Sequence, residues 1–338
     1  MKEPLFKIRE KGRYGFINRA GAVVIEPQYL EAEAFYNGFA RVRFNDKWVH
    51  IDEMGRLLLK HFFNYIGHFE EGLAGVQLVN RWGFIDTKGN LAIPIAYEAV
   101  GDFSQGLAPA RRNGKWGYID QMGKWQIKPQ FEAAASFASG LAAICLEDRW
   151  GYIDEQGELA IVPAFDLCLD FQDQVAVVVE GDYWGLIDKT GDLLLEPQFD
   201  YIKEVENGLF SDGMALVGQD GLTGYIDNGG HLLISPLYKK AGDFNHGLAA
   251  VAADHLFGYI DKKGDWIIKP QFVNAGLFAD ERAPVLIGQQ WGFINLKGES
   301  VIPPKFDLAI PFINGLARVE QHKKWAYIQP DGGLVWQE

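Results

Sequence analysis

A five-residue core, Trp-Gly-Tyr/Phe-Ile-Asp, recurs every 34 residues, and residues 82–86, 116–120 and 150–154 are near-identical copies of it. A fixed period of this length marks a supersecondary unit too small to bury its apolar face alone, so neighbours must stack to share a core. With Gly72 as position 1, units begin at Pro4, Gly38, Gly72, Gly106, Gly140, Gln174, Gly213, Gly247, Glu281 and Gly315. Position 14 is Ile in all ten units, from Ile17 to Ile328, and position 18 is Gly in all ten, from Gly21 to Gly332. One interval is 39 residues; aligning Phe210-Ser211-Asp212-Gly213 with Phe103-Ser104-Gln105-Gly106 puts the five extra residues within 201–209. The chain therefore reads as a single repeat array over residues 4–338, with the core positions intact across the insertion.

Each unit reads as three short strands. In the fourth unit, residues 107–111 lead into Asn113-Gly114, a favoured two-residue hairpin turn, and residues 115–120 form the second strand. Asp120-Gln121-Met122-Gly123 matches a type I turn ending in a left-handed residue, which accounts for Gly at position 18. The third strand, residues 124–128, is expected to stop at Pro129, which has no amide to donate. Alternation puts Trp116 and Tyr118 on one face and Gly117 and Ile119 on the other. Both faces are apolar, so each sheet must be sandwiched between neighbours. Gly at position 12, present in eight of ten units with Val49 and Ala326 as exceptions, is expected to let the neighbouring unit approach. The fold class is all-β. Stacked twisted sheets give either an open superhelix or solenoid, or a closed propeller-like ring, and the short units favour the open form.

These segments resemble the bacterial WG-repeat proteins, related to the KWG repeats. The resemblance rests on Gly72-Leu73-Ala74, Arg81-Trp82-Gly83-Phe84-Ile85-Asp86, Gly89 and Lys128-Pro129-Gln130-Phe131, and it covers residues 4–338. Tyr14, Thr223 and Phe257 depart from the tryptophan, and His61 and Ile95 from the connecting proline. The resemblance implies an all-β repeat array with a non-enzymatic, protein-interaction role and supplies no catalytic residues.

Composition narrows the function classes. A formal net charge of -13 opposes a phosphate-binding, nucleic-acid role. No basic segment precedes an apolar run near Met1 and no apolar stretch is long enough to span a bilayer, so neither a signal peptide nor a membrane span is expected. Cys145 and Cys168 are the only cysteines, which suits a reducing, cytoplasmic setting.

The rows of repeated polar residues are read as structural. Asp52, Asp86, Asp120, Asp154, Asp188, Asp227 and Asp261 each open a turn and can accept the amide two residues on, and Asn18 and Asn295 stand in where only a turn is needed. The aromatics at position 26, and the tryptophans Trp48, Trp82, Trp116, Trp150, Trp184, Trp291 and Trp325 at position 11, are read as packing between units; Trp125, Trp266 and Trp336 fall outside that pattern. The seven histidines are scattered without zinc spacing, although His61 and His68 share one connection. No cofactor or metal is expected. The array is read as a scaffold for a protein partner, displaying positions 4, 6, 27, 28 and 30, with Tyr201, Lys203, Glu204 and Glu206 of the insertion as a candidate interaction loop. The alternative is a carbohydrate- or small-molecule-binding protein, hydrolytic in one of its forms.

Overall fold

The computed structural model describes residues 3–45, 47–58, 63–203 and 209–338. Among these the backbone forms strands and turns and no helix, so none is long and apolar enough to cross a membrane. The strands assemble into ten small antiparallel sheets, one to a repeat, as the all-β tandem array requires. The chain divides into a larger compact unit, Leu5–Ile17 with Val23–Pro197, and a smaller one built chiefly from Gln198–Glu338 together with Asn18–Ala22.

Most sheets have a strand more than the sequence suggests. The fourth sheet runs Ala99–Val100, Leu107–Arg112, Lys115–Asp120, Trp125–Phe131. Ala99 and Val100 belong to the preceding repeat and pair with Arg111 and Ala110. Each repeat thus lends its connection to the next sheet, which ties neighbours through backbone hydrogen bonds as well as packing. Two-residue strands carry too little periodicity to be read from sequence.

The third strand does not stop at its proline. Trp116 pairs with Phe131 and Tyr118 with Ile127, so residues 128–130 bulge outward and Pro129 occupies the bulge, where no ladder amide is needed. That bulge, and not the neighbouring unit, explains Gly at position 12. A Cβ on Gly117 would sit 2.4 Å from the Ile127 carbonyl oxygen and 2.6 Å from the Pro129 nitrogen, both in its own repeat. Of the two exceptions, Ala326 agrees with this cause. In the last sheet Ala326 pairs directly with Gln337 and Tyr327 with Trp336, without the shift that separates the Trp116 and Tyr118 pairings, and a Cβ is accommodated; the register shift there falls later, between Tyr327 and Ile328. The close approach between repeats is made at position 18 instead: Gly123 has φ +76, and its missing Cβ would lie 2.9 Å from Ile93 of the preceding repeat.

The core follows from positions 13, 14 and 32. Tyr118, Tyr152, Tyr225 and Tyr259 are fully buried at position 13. Each ring meets the position-32 phenylalanine of its repeat, with centroids 4.9 Å apart for Tyr118 and Phe137 and 4.7 Å for Tyr152 and Phe171. Each hydroxyl donates to the position-30 carbonyl, 2.8 Å from Tyr118 to Ala135 and 2.6 Å from Tyr152 to Leu169. The bond satisfies both partners in an interior where an unmet polar group is costly, and burial pushes the Tyr118 phenol far above its ordinary value.

Within the smaller unit, Gly21 lies against Val335 and Gly315 against the Arg19 side chain. A turn of the first repeat and the last repeat are therefore neighbours there, whereas the open form favoured by the sequence would hold them apart.

Candidate functional site

The seven position-11 tryptophans are all half-buried; the deepest rings are those at position 13. The lent strand lies one strand away from the tryptophan, across the first strand of the repeat, so that a large side chain on it can reach the indole. In the third sheet Tyr65, at position 28 of the preceding repeat, meets Trp82 edge-on at 5.4 Å. The same geometry accounts for Tyr201. The seventh repeat has Thr223 in place of the tryptophan and Gly218 opposite it, and the Tyr201 ring fills that space so closely that a Cβ on Gly218 would collide with it. The Tyr201 and Thr223 hydroxyls are 3.0 Å apart. Lys203 Nζ donates to the Asp243 carboxylate at 2.9 and 3.1 Å. The Lys203 amide donates to the Leu216 carbonyl as Gly101 does to Pro109, so the five inserted residues are 204–208. Glu204 and Glu206 lie outside the described residues.

The polar rows are used by the array itself. Asp120 Oδ1 accepts the Met122 and Lys124 amides at 2.9 Å, and Asn295 does the same for Lys297 and Glu299 at 3.0 Å. Partial burial works to raise the Asp120 carboxyl, but these amides with Gln126 and Lys124 hold it below the usual carboxylate value. Position 27 is also consumed: Glu98 accepts the Asn113 and Gly114 amides at 3.0 and 2.9 Å, and Asp307 accepts that of His322 at 2.7 Å. These carboxylates cap the left-handed hairpin turns of the next repeat. Position 34 links repeats in turn, with Glu71 accepting the Gly106 amide at 3.0 Å and Gln105 that of Gly140 at 3.0 Å. Of the positions expected to face a partner, 4 is mostly buried and 27 is occupied in capping, while 28 is mixed, with Tyr65 and Tyr201 exposed.

Cys145 and Cys168 are free and buried, and burial pushes the Cys168 thiol up to about 12, which removes it as a nucleophile near neutral pH. Among the described residues no group of three His, Cys, Asp or Glu side chains is placed to hold a metal ion; His61 lies outside those residues.

Two features escape the regular accounting. The first is His50, which occupies position 13, where the other repeats place Tyr, Phe or Leu. It is buried, and neither ring nitrogen has a hydrogen-bond partner. The sequence signal was a polar residue in an otherwise apolar column. The second is a row of exposed apolar side chains at positions 20 and 21 of the third strands. In the larger unit it includes Leu91, Leu193 and Leu194, and in the smaller one Leu232, Leu233 and Ile267. Single exposed apolar residues are ordinary, but the same exposure at the same site in repeat after repeat is not.

Comparison with curated proteins returns no match. Among solved structures, one described as a eukaryotic initiation factor is 11% identical with TM-score 0.59, covering 100% of this chain and 96% of its own. Hsv2p of Kluyveromyces lactis is 8% identical over 70% of this chain and 94% of its own, with TM-score 0.34. The dihydro-heme d1 dehydrogenase NirN is 12% identical over 78% and 72%, with TM-score 0.40. The first of these shows a shared fold and no more. The model of the WG containing repeat matches residues 14–48, 51–80, 82–116, 116–150, 150–184, 184–222, 224–254, 257–290 and 291–325. With nine matches spread along the array whose hydrogen bonds and packing are set out above, the chain belongs to the family of WG containing repeat proteins.

Proposed function

We propose that this chain is a non-catalytic scaffold that binds a protein partner through the exposed third strands. The observation that carries the reading is the row at positions 20 and 21, where Leu193, Leu194, Leu232 and Leu233 are exposed in place of the polar residues a solvated edge strand normally presents. The exposed side chains of the row are mostly aliphatic, with Trp266 the exposed aromatic among them, which suits apolar protein side chains better than a sugar platform built on flat aromatic faces. The repeated carboxylates and hydroxyls are engaged in turns and caps, which leaves them unsuited to acid and base roles. A reducing, cytoplasmic setting fits the two free cysteines.

The test is a paired substitution, Leu193→Lys with Leu194→Lys, and a second pair, Leu232→Lys with Leu233→Lys. These side chains are exposed, so thermal stability should stay within about 0.5 kcal/mol of wild type. Proteins cross-linked to the wild-type chain in its native host should be lost from at least one variant. Identical cross-linked sets in both variants would reject the third strands as the binding surface, and retention on a glycan array that the variants lose would favour the carbohydrate-binding reading.

A further inference from the structure

The array is its own control: ten copies of one unit, with one copy altered at its most buried ring position. At position 13 the second repeat has His50, 2% exposed, with its ring 5.4 Å from Phe69 at an interplanar angle of 80°. Phe69 lies on Tyr65–Glu70, the strand that the second repeat lends to the third sheet. His50 therefore sits at the joint between the two sheets, in the place where Tyr118 in the fourth repeat both stacks and donates its hydroxyl to Ala135. It stacks but makes no hydrogen bond through either nitrogen.

The groups facing it make a proton unwelcome. Arg41 is its direct partner on the opposite strand of the sheet. The Arg41 guanidinium is fixed by Glu33 at 3.0 Å and lies over the Trp48 and Tyr65 rings at 5.0 and 5.5 Å, so it cannot swing away freely. From the connection comes a second imidazole, His68, whose ring packs edge-on against Tyr36 at 5.7 Å. Among the described residues, Arg41 and His68 are the charged or titratable groups that act on His50, and both oppose a positive charge.

We infer that His50 makes the joint between the second and third sheets proton-sensitive, held closed at neutral pH and shifted toward opening by mild acid. Closing the joint strips the imidazole of water and sets it beside a fixed guanidinium, so the closed form accommodates only the neutral ring. Opening returns the ring to water, where it takes up a proton as pH falls through its ordinary value of 6.5. Burial first, and then Arg41 and His68, push the imidazole down from 6.5 to about 3. A base depressed by burial supports the closed form fully above its free value and loses that support as pH falls from there toward the depressed one. Between pH 7 and pH 5 the proton thus multiplies the opening equilibrium by about 25. The carboxylate nearest in sequence, Asp52, is held below its ordinary 3.8 and contributes only in stronger acid.

Amide hydrogen exchange of the full chain at pH 7 and pH 5, corrected for the intrinsic pH dependence of exchange, reads this directly. Opening of Lys47–Asp52 should rise by about 25-fold on acidification relative to the equivalent strand Lys115–Asp120, which has Tyr118 at the same position. His50→Phe should bring the two strands to the same pH response. The inference is overturned if the two strands respond alike in the wild-type chain, a comparison that needs no variant, or if His50→Phe leaves the difference in place.

Discussion

Replacing Gly117 by Ala tests whether position 12 is constrained by the repeat's own bulged strand. The new Cβ would lie 2.4 Å from Ile127 O, 2.6 Å from Pro129 N and 2.7 Å from Lys128 C, all backbone atoms. Ordinary contact begins about 1 Å farther out, so the strand Trp125–Phe131 must move, and its pairing with Lys115–Asp120 resists. Overpacking of this kind costs about 1–3 kcal/mol, and backbone at three points puts Gly117→Ala near the top of that range, partly offset by the roughly 0.5–1 kcal/mol that Ala gains over Gly within a strand. A net loss of about 2 kcal/mol lowers local protection against exchange by about 30-fold. Repeat arrays do not always unfold as one unit, so the measurement is hydrogen exchange resolved by strand. Protection should fall chiefly at residues 115–131, while Ala326→Gly in the last sheet, where Ala326 pairs directly with Gln337, should cost only about 0.5–1 kcal/mol. A loss under threefold at residues 115–131, or one shared equally with the adjoining repeats, would refute the bulge as the cause and restore the neighbouring unit.

Tyr118→Phe keeps the ring but leaves the Ala135 carbonyl without its donor, and should cost about 1–2 kcal/mol in denaturant titration. Tyr118→Ala also removes the contact with Phe137 and should cost about 3–5 kcal/mol. Tyr201→Ala empties the space beside Thr223 and Gly218 and should destabilise the seventh sheet by about 2 kcal/mol, whereas Tyr201→Phe should cost less than about 1 kcal/mol; equal losses would mean that the hydroxyl contact and not the ring supports the sheet. The carboxyls of Asp52, Asp86, Asp120, Asp188 and Asp227 are held below 3.8 in the folded chain, so the stability they contribute is present above that value and lost as pH falls through their lower folded values. Acid titration followed by tryptophan fluorescence should show that loss below about pH 4, and Asp120→Asn should reduce it.

The all-β class, the period and the aspartate turns could be read from the chain because each depends on residues within one repeat. Asp120 meets the amides of Met122 and Lys124, two and four residues on, and such contacts leave a local pattern. What was hidden depends on pairings between repeats. Ala99 and Val100 look like loop residues until Arg111 and Ala110 are seen beside them. Glu98 looks like a surface acid until the Asn113 and Gly114 amides are placed on it. Pro129 misled for a different reason: its missing amide ends a regular ladder, but a bulged strand passes through it with nothing unsatisfied. Tyr201 drew notice because it adjoins the insertion, although its spacing from Thr223 is the ordinary one lengthened by five residues.

A repeat array makes departures from its pattern interpretable, because every substitution is seen against the same surroundings elsewhere in the chain. Thr223 loses a ring at position 11, and Tyr201 restores one from the lent strand; the change and its compensation lie in one sheet. Ala326 breaks the glycine row at position 12, and the last strand has lost the bulge that required glycine. His50 has no such counterpart: the contact with Phe69 is kept, yet both nitrogens stay unpartnered and Arg41 faces the ring. A Tyr or Phe would serve packing better at that position, as the fourth and third repeats show with Tyr118 and Phe84. Packing therefore accounts for the first two departures and not for the third, where the buried imidazole sets the joint's response to protons.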